Sequence, residues 1–131
     1  VGGYEIDMTK VNYDTYVIAG TTDHITPWKA VYETARLYGK DTTFILSNSG
    51  HLQSLLNPPG NPKSWYMKGD AKAADPDAWA EKATKHEGSW WLDWGEMLKD
   101  KSGKEIAAPK KPGSKKNPPL GDAPGTYIFE P

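Results

Sequence analysis

Two short apolar runs enclose one amphipathic stretch, and this order limits the folds open to the first half of the chain. Residues 15–19 and 42–46 are rich in β-branched and aromatic side chains, which predicts two buried strands. Apolar side chains recur at helical spacing between them, with Thr26 as the N-cap, Pro27 at the first helical position and Gly39 as the end. The sequence therefore predicts a strand, helix, strand unit with parallel strands and a right-handed crossover.

A loop with an ionisable residue follows each predicted strand: Asp23 comes after the first and His51 after the second. Because the carboxyl ends of parallel strands open on one edge of the sheet, we expect the two side chains to meet there. A histidine base needs a carboxylate that fixes its tautomer and stabilises its cation, and acid before histidine is the order at the end of an α/β-hydrolase domain. On spacing alone, an unrelated loop carboxylate and a histidine that caps its loop remain the alternative.

The rest of the folded part is predicted to be helical and to cover the sheet. Residues 57–62 are rich in proline and must form an irregular loop. One helix is expected from Asp75 to about Lys85, and a second follows Ser89 as its cap. Three tryptophans have the spacing of buried helix faces: Trp79, Trp91 and Trp94.

The composition changes near Lys101, which predicts two regions, residues 1–100 and 101–131. The second is a tail rich in lysine, proline and glycine, without apolar periodicity, and is expected to be extended. Residues 126–129 are apolar enough to dock back as a short strand or clip. The lysines give this region a local positive charge, so contact with phosphate groups or other surface anions is a hypothesis beside a solvated tail.

Composition excludes several classes of protein. The sequence has no cysteine, so disulfides and thiolate metal sites are impossible, and no metal is expected. A net charge of -1 over 131 residues gives no overall field for nucleic acid or an anionic membrane. No apolar run is long enough to span a membrane and the start is unlike a signal peptide, so a cytoplasmic location is expected.

Five segments of the sequence carry a family resemblance: residues 20–28 (Gly-Thr-Thr-Asp-His-Ile-Thr-Pro-Trp), 46–54, 57–63, 87–91 and 123–127. In this order they resemble the C-terminal part of polyhydroxyalkanoate synthases, which belong to the α/β-hydrolase superfamily. The Asp-His-Ile-Thr-Pro-Trp and Asn-Pro-Pro-Gly-Asn-Pro forms are most similar to synthases of the medium-chain monomer class. The resemblance makes residues 1–100 the C-terminal portion of a hydrolase-like catalytic domain, with covering helices and an extended tail.

The resemblance implies an acyltransferase of the bacterial polyester granule. Such an enzyme moves a 3-hydroxyacyl group from coenzyme A to a cysteine and then onto a growing polyester, without a cofactor. Asp23 and His51 match the aspartate and histidine of its catalytic triad, while the cysteine lies in an upstream Gly-any-Cys-any-Gly elbow that has no counterpart here. The chain alone is therefore expected to be inactive. Implied partners are 3-hydroxyacyl-CoA, the polyester chain, the granule surface and further copies of the protein.

Other residues are weaker candidates for function. His24 is a possible second acid–base group, and Trp28 is a possible lining of an acyl channel or an anchor of the loop. His86 is expected to interact with a helix C-terminus, and Ser49 and Ser54 to make loop hydrogen bonds.

Two other functions remain open. One is a fragment of an ester hydrolase such as an intracellular polyester depolymerase, and the other is a non-catalytic module for granule binding or assembly. Exposed sheet edges would also favour self-association of the isolated chain.

Overall fold

The computed structural model describes residues 2–38 and 40–130, so Gly39, the expected helix end, lies outside the described residues. The chain divides into two compact units, Val1–Lys101 and Ser102–Pro131. Regular α-helices and strands occur in the first unit, which also contains the expected meeting point of Asp23 and His51. No described helix is long and apolar enough to cross a membrane.

The first unit is an α/β structure built on a mixed four-stranded sheet in the order β1-β2-β3-β4. The strands are β1 (Thr15–Gly20), β2 (Thr42–Ser47), β3 (Trp65–Asp70) and β4 (Thr84–Glu87). Strands β1 and β2 are parallel and joined through helix α1 (Trp28–Arg36), which confirms the predicted strand, helix, strand unit.

The start of α1 differs from the prediction. Pro27, rather than Thr26, occupies the capping position, and its carbonyl oxygen accepts hydrogen bonds from Ala30 N at 2.9 Å and Val31 N at 3.2 Å. No side chain caps the helix. The Thr26 hydroxyl is directed elsewhere, to the carboxylate of Asp23.

Strands β3 and β4 were not predicted, and both are antiparallel to their neighbours. The helix expected to reach about Lys85 ends at Lys82, because Ala83 has extended backbone angles and β4 begins at Thr84. Strand β4 is a polar edge strand with three of its four residues exposed, so it has no apolar alternation that could distinguish it from a helix. The expectation that His86 lies near a helix C-terminus was wrong, since His86 is in β4 and stacks on Tyr66.

Alternate residues of β2 point into two apolar clusters, one on each face of the sheet. On one face Phe44 packs against Tyr32 of α1 at 5.1 Å between ring centroids and against Trp79 at 4.9 Å. Trp79 belongs to α3 (Pro76–Lys82), whose first turn is capped by the Asp75 carboxylate. The second face buries Ile45 with Tyr66 and Trp90. A short helix, α2 (His51–Leu55), follows β2.

Helix α4 (Trp90–Lys101) packs against the second face. Ser89 caps it as predicted, since its hydroxyl oxygen accepts from Trp91 N at 3.0 Å. The predicted burial of Trp79 is confirmed, whereas Trp91 is only partly buried and Trp94 is 39% exposed. The reason is an ionic contact: Asp93 accepts hydrogen bonds from the Tyr16 hydroxyl at 2.8 Å and Lys68 Nζ at 2.6 Å, so the helix turns this acidic side chain towards the sheet.

The second unit has turns and bends, and its described residues are exposed. Residues 126–129, expected as a short strand or clip, instead contain a 3-10 helix, Tyr127–Phe129. Phe129 N donates to Thr126 O at 3.0 Å to close this turn. A strand needs a neighbouring strand to satisfy its backbone groups, and the described residues of this unit supply none.

Two glycines test the packing of the core. A Cβ at Gly69 would lie 2.9 Å from Trp79 Nε1, whereas a Cβ at Gly95 in α4 would meet nothing within 4 Å. Gly69→Ala should lower the free energy of unfolding by about 1–3 kcal/mol through overpacking. Gly95→Ala, the control, should raise it by about 0.5–1 kcal/mol because alanine favours the helix. Urea denaturation of both variants measures this, and equal effects would contradict the packing.

Candidate active site at the ends of two parallel strands

The loops that carry Asp23 and His51 start side by side. Gly20 at the end of β1 is in register with Ser47 at the end of β2. Backbone pairing continues beyond the strands, since Thr21 N donates to Ser47 O at 2.9 Å and Thr22 N donates to Ser49 O at 3.2 Å. The two loops are thereby held together at the sheet edge, where the sequence predicted that Asp23 and His51 would meet.

Gly20 allows this close approach. A Cβ at this position would lie 2.8 Å from both Ser49 O and Ser54 Oγ. Ser49 itself has a φ of 87°, a left-handed conformation that is unfavourable for a residue with a Cβ, by roughly 1–2 kcal/mol. This turn directs the chain into α2, whose first residue is His51. The role of Gly20 was missed, although a glycine at a strand end is a signal of close backbone approach.

The carboxylate of Asp23 is held by its own loop. Oδ1 accepts hydrogen bonds from Ile25 N at 2.9 Å and Thr26 N at 3.0 Å, and Oδ2 accepts from Thr26 Oγ1 at 2.7 Å. The side chain is only 5% exposed. Desolvation acts to raise the pKa of Asp23, but the hydrogen bonds from Thr26, His51 and Ile25 outweigh it and hold the pKa well below its usual range.

The structure brings His51 to this carboxylate. Its Nδ1 lies 2.8 Å from Asp23 Oδ2, and the imidazole is 38% exposed. An ionised carboxylate only accepts hydrogen bonds, so Nδ1 carries the proton and Nε2 carries the lone pair. Nε2 has no hydrogen-bond partner among the described residues. This arrangement provides a base that can take a proton while the carboxylate stabilises the resulting cation.

In the described part of the chain, neither His24 nor Trp28 makes a hydrogen bond to this pair. His24 is exposed, and no hydrogen bond to its ring is found within the described part of the chain. Trp28 is partly buried and packs against Trp79 at 6.4 Å between ring centroids, as part of the core. Functional roles for His24 and Trp28 stay predictions. Ser54, expected to make a loop hydrogen bond, instead lies in α2, where its hydroxyl donates to the backbone oxygen of His51 at 3.3 Å.

A buried polar network lies beneath the histidine loop. Asn57 Nδ2 donates to Ser47 Oγ at 3.3 Å, and Asn57 Oδ1 accepts from Ser64 Oγ at 2.6 Å. The Ser89 hydroxyl donates to the backbone oxygen of Asn57. These four residues are almost fully buried. The network therefore joins the end of β2, the proline-rich loop, the start of β3 and the cap of α4.

Asn57 and Ser64 were not predicted from the sequence to have a role at the site. Both lie in or beside the proline-rich loop, where a polar residue is ordinarily expected to face solvent. Asn57 belongs to one of the segments that carry the resemblance, residues 57–63, but the resemblance gives no reason for an asparagine there, and Ser64 lies outside that segment. The structure supplies the reason, because Asn57 is the hub that connects the loop with two strands and a helix.

Asn57→Ala tests the network. The substitution leaves the Ser64 hydroxyl without its acceptor inside the protein, and buried unsatisfied groups are costly, so the free energy of unfolding should fall by about 2–3 kcal/mol. The matched control is Asn61→Ala in the same loop, which is exposed and accepts one local hydrogen bond from Lys63 N. The free energy of unfolding of the control should fall by about 1 kcal/mol or less. Equal losses in urea denaturation would contradict a central role for Asn57.

The lowered pKa of Asp23 predicts a pH dependence of stability. A carboxyl whose pKa is lower in the folded state contributes stability above its unfolded pKa of about 3.9 and loses it as the pH falls below that value. The stability difference between the wild type and Asp23→Asn should therefore be largest at about pH 6 and shrink at about pH 3. Urea denaturation at both pH values measures it, with Asp100→Asn as an exposed control. A difference that is independent of pH would contradict the prediction.

The chain is similar over nearly its whole length to known polymerases. It is 49% identical over 129 residues to poly(3-hydroxyalkanoate) polymerase 2 of Ectopseudomonas oleovorans and 48% identical over 130 residues to polymerase 1 of the same organism. It is 34% identical over 128 residues to the poly(3-hydroxyalkanoate) polymerase subunit PhaC of Cupriavidus necator. These matches cover 98%, 99% and 98% of this chain but only 23%, 23% and 22% of the relatives.

No family model matches the chain. The chain spans less than a quarter of the length of the curated relatives, and its position within them stays a prediction. The resemblance stated from the motifs is nevertheless confirmed by identities of 48–49% across the described site and the rest of the sequence. The chain belongs to the poly(3-hydroxyalkanoate) polymerase family.

Proposed function

We propose that this chain supplies the aspartate and histidine of a cysteine-dependent acyltransferase that polymerises 3-hydroxyacyl groups from coenzyme A thioesters. The observation that carries the proposal is the 2.8 Å contact between Asp23 Oδ2 and His51 Nδ1, which leaves Nε2 free to act as a base. The names of the relatives support the choice of reaction, since they are poly(3-hydroxyalkanoate) polymerases.

The nucleophile would come from outside this sequence. The chain has no cysteine, and the relatives are about four times longer than the part that it matches. The remaining part of such a protein would bring a thiol to within hydrogen-bond distance of His51 Nε2. By itself the chain has nothing to acylate, so it should not release coenzyme A from a 3-hydroxyacyl thioester.

The proposed reaction has two attacks, and His51 acts in both. Nε2 first takes the thiol proton, the thiolate attacks the acyl carbonyl, and the bond to coenzyme A breaks as coenzyme A leaves with that proton. Nε2 then takes the proton of a hydroxyl group on another acyl unit, whose oxygen attacks the acyl-cysteine. An ester bond forms, and the proton returns to the released thiolate. Asp23, ionised throughout, stabilises the imidazolium in each step.

We propose further that the first unit is the C-terminal portion of an α/β-hydrolase sheet. Support comes from the parallel pair β1 and β2, with the acid after the first strand and the histidine after the second. The antiparallel strands β3 and β4 would extend this sheet on one side. The remaining strands of the longer protein would then join the sheet at its other edge, beside β1.

The substrate class and partners are part of the same proposal. The higher identity to the two Ectopseudomonas oleovorans polymerases than to the Cupriavidus necator protein, together with the sequence motifs, supports monomers of medium chain length. The polyester chain, the surface of polyester granules in the cytoplasm and further copies of the protein would be its partners. Several of the exposed large apolar side chains in the part of the chain that the structure describes would face these partners or the rest of the polymerase.

A chimera tests the proposal. In polymerase 2 of Ectopseudomonas oleovorans, the matched segment is replaced by this chain, and release of coenzyme A and polymer is measured with a medium-chain 3-hydroxyacyl-CoA. The chimera should make polymer, and His51→Ala should reduce the rate by about 100-fold or more. His86→Ala, which changes a histidine of β4 that stacks on Tyr66, is the control and should retain the rate.

Each outcome distinguishes the candidate functions. A chimera that releases free hydroxy acid without polymer would favour the ester hydrolase. Full activity after His51→Ala would reject its role as the base. Turnover by the isolated chain would contradict the need for an external thiol.

A further inference from the structure

The hydroxyl of Thr26 lies between the two residues of the proposed site. Thr26 Oγ1 is 2.7 Å from Asp23 Oδ2 and 3.5 Å from His51 Nδ1. The backbone N of Thr26 also donates to Asp23 Oδ1 at 3.0 Å. One residue therefore contacts both oxygens of the carboxylate and also faces the imidazole.

The direction of the hydroxyl proton follows from elementary chemistry. A threonine hydroxyl has one proton to donate, and the ionised carboxylate has none, so the proton lies between Oγ1 and Oδ2. The lone pairs of Oγ1 are then the part of the hydroxyl that faces Nδ1. A protonated Nδ1 can direct its proton towards Thr26 Oγ1 and Asp23 Oδ2. An unprotonated Nδ1 would instead direct its lone pair at a lone pair of Oδ2, only 2.8 Å away. The hydroxyl thus favours the tautomer that leaves Nε2 as the base.

The fold holds Thr26 in this position without using its hydroxyl elsewhere. Pro27 follows it and restricts its backbone to extended conformations, and its β-branched side chain has few rotamers. Thr26 is exposed, and α1 takes no side-chain cap from it. Within the described residues, the hydroxyl contacts only Asp23 and His51. The described hydrogen bonds of the Thr26 hydroxyl therefore give it no part in capping α1, and its exposure gives it no part in packing the core.

The geometry points to Thr26 as a positioning residue, which holds the Asp23 carboxylate in place and aimed at His51 Nδ1 so that the imidazole presents Nε2 to the reacting group. The consequence for catalysis rests on the proposed function, whereas the effect on the state of Asp23 and His51 does not. Removing the hydroxyl takes away one of the four hydrogen bonds made to the carboxylate.

The test uses the full chain of 131 residues and nuclear magnetic resonance. The ¹³C signal of the Asp23 carboxyl is titrated, and long-range ¹H–¹⁵N spectra of His51 report which ring nitrogen carries the proton. Thr26→Val, which is nearly isosteric, should raise the pKa of Asp23 by about 0.5–1, since a few such hydrogen bonds together lower a carboxyl pKa by about two. It should also increase the share of the tautomer with the proton on Nε2.

Two further variants make the result specific. Thr26→Ser restores a hydroxyl and should return both readouts towards the wild type. Thr34→Val makes the same chemical change on the exposed side of α1, where the hydroxyl donates to Ala30 O, and should alter neither. If Thr26→Val does not fold, Thr26→Ala is measured instead, with the same expected shifts. Unchanged Asp23 titration and unchanged His51 tautomer in the hydroxyl-deficient variant would overturn the inference.

These readouts are independent of acyl transfer. An inactive chimera combined with shifted spectra would reject the proposed function and leave the positioning role of Thr26 in place. An active chimera combined with unshifted spectra would support the proposed function and reject the positioning role of Thr26. If the chimera is active and the spectra shift, Thr26→Val in the chimera should lower kcat more than it changes KM. Thr26→Ser should then recover the lost kcat.

Discussion

Burial of β2 on both faces is the constraint on which the rest of the first unit depends. Phe44 packs into the cluster formed with α1 and α3, and Ile45 packs into the cluster closed by α4. Each fully buried side chain of this size contributes roughly 1.5–3 kcal/mol, and a shift of one residue in register would exchange Phe44 and Ile45 between the two clusters. With β2 fixed, its parallel neighbour β1 is fixed as well, and the two loops that follow them emerge at the same edge.

The sequence predicted the part of the fold that is encoded by local pattern. Strands β1 and β2 are apolar and helix α1 is periodic, so their type and order could be inferred without the structure. The meeting of Asp23 and His51 followed from that order alone. The catalytic role of the pair depends on a nucleophile from outside this sequence and remains a proposal.

The parts that the sequence did not predict depend on partners far along the chain. Strand β4 is polar, and only pairing with β3 makes it a strand instead of the last turns of a helix. The orientation of α4 is set by Asp93, a charged residue that finds Tyr16 and Lys68 on the sheet. Asn57 appeared to belong to an exposed loop, and its burial becomes favourable only when Ser47 and Ser64 supply hydrogen bonds. Thr26 fitted the pattern of a helix cap, in which its hydroxyl would accept a hydrogen bond from a backbone N–H, but the hydroxyl instead donates to the carboxylate of Asp23.

The polar network around Asn57 also affects the order in which the molecule can fold. The pair of Asp23 and His51 is 28 residues apart, and both belong to one strand, helix, strand unit, so a single loop closure is enough to form it. Asn57 and Ser89 are 32 residues apart and meet only after β3, α3 and β4 have been added. The packing of β2 has the same requirement, because α3 completes the cluster around Phe44 and α4 completes the cluster around Ile45. The sheet edge that carries Asp23 and His51 would therefore reach its final packing only when the chain as far as α4 is available to fold.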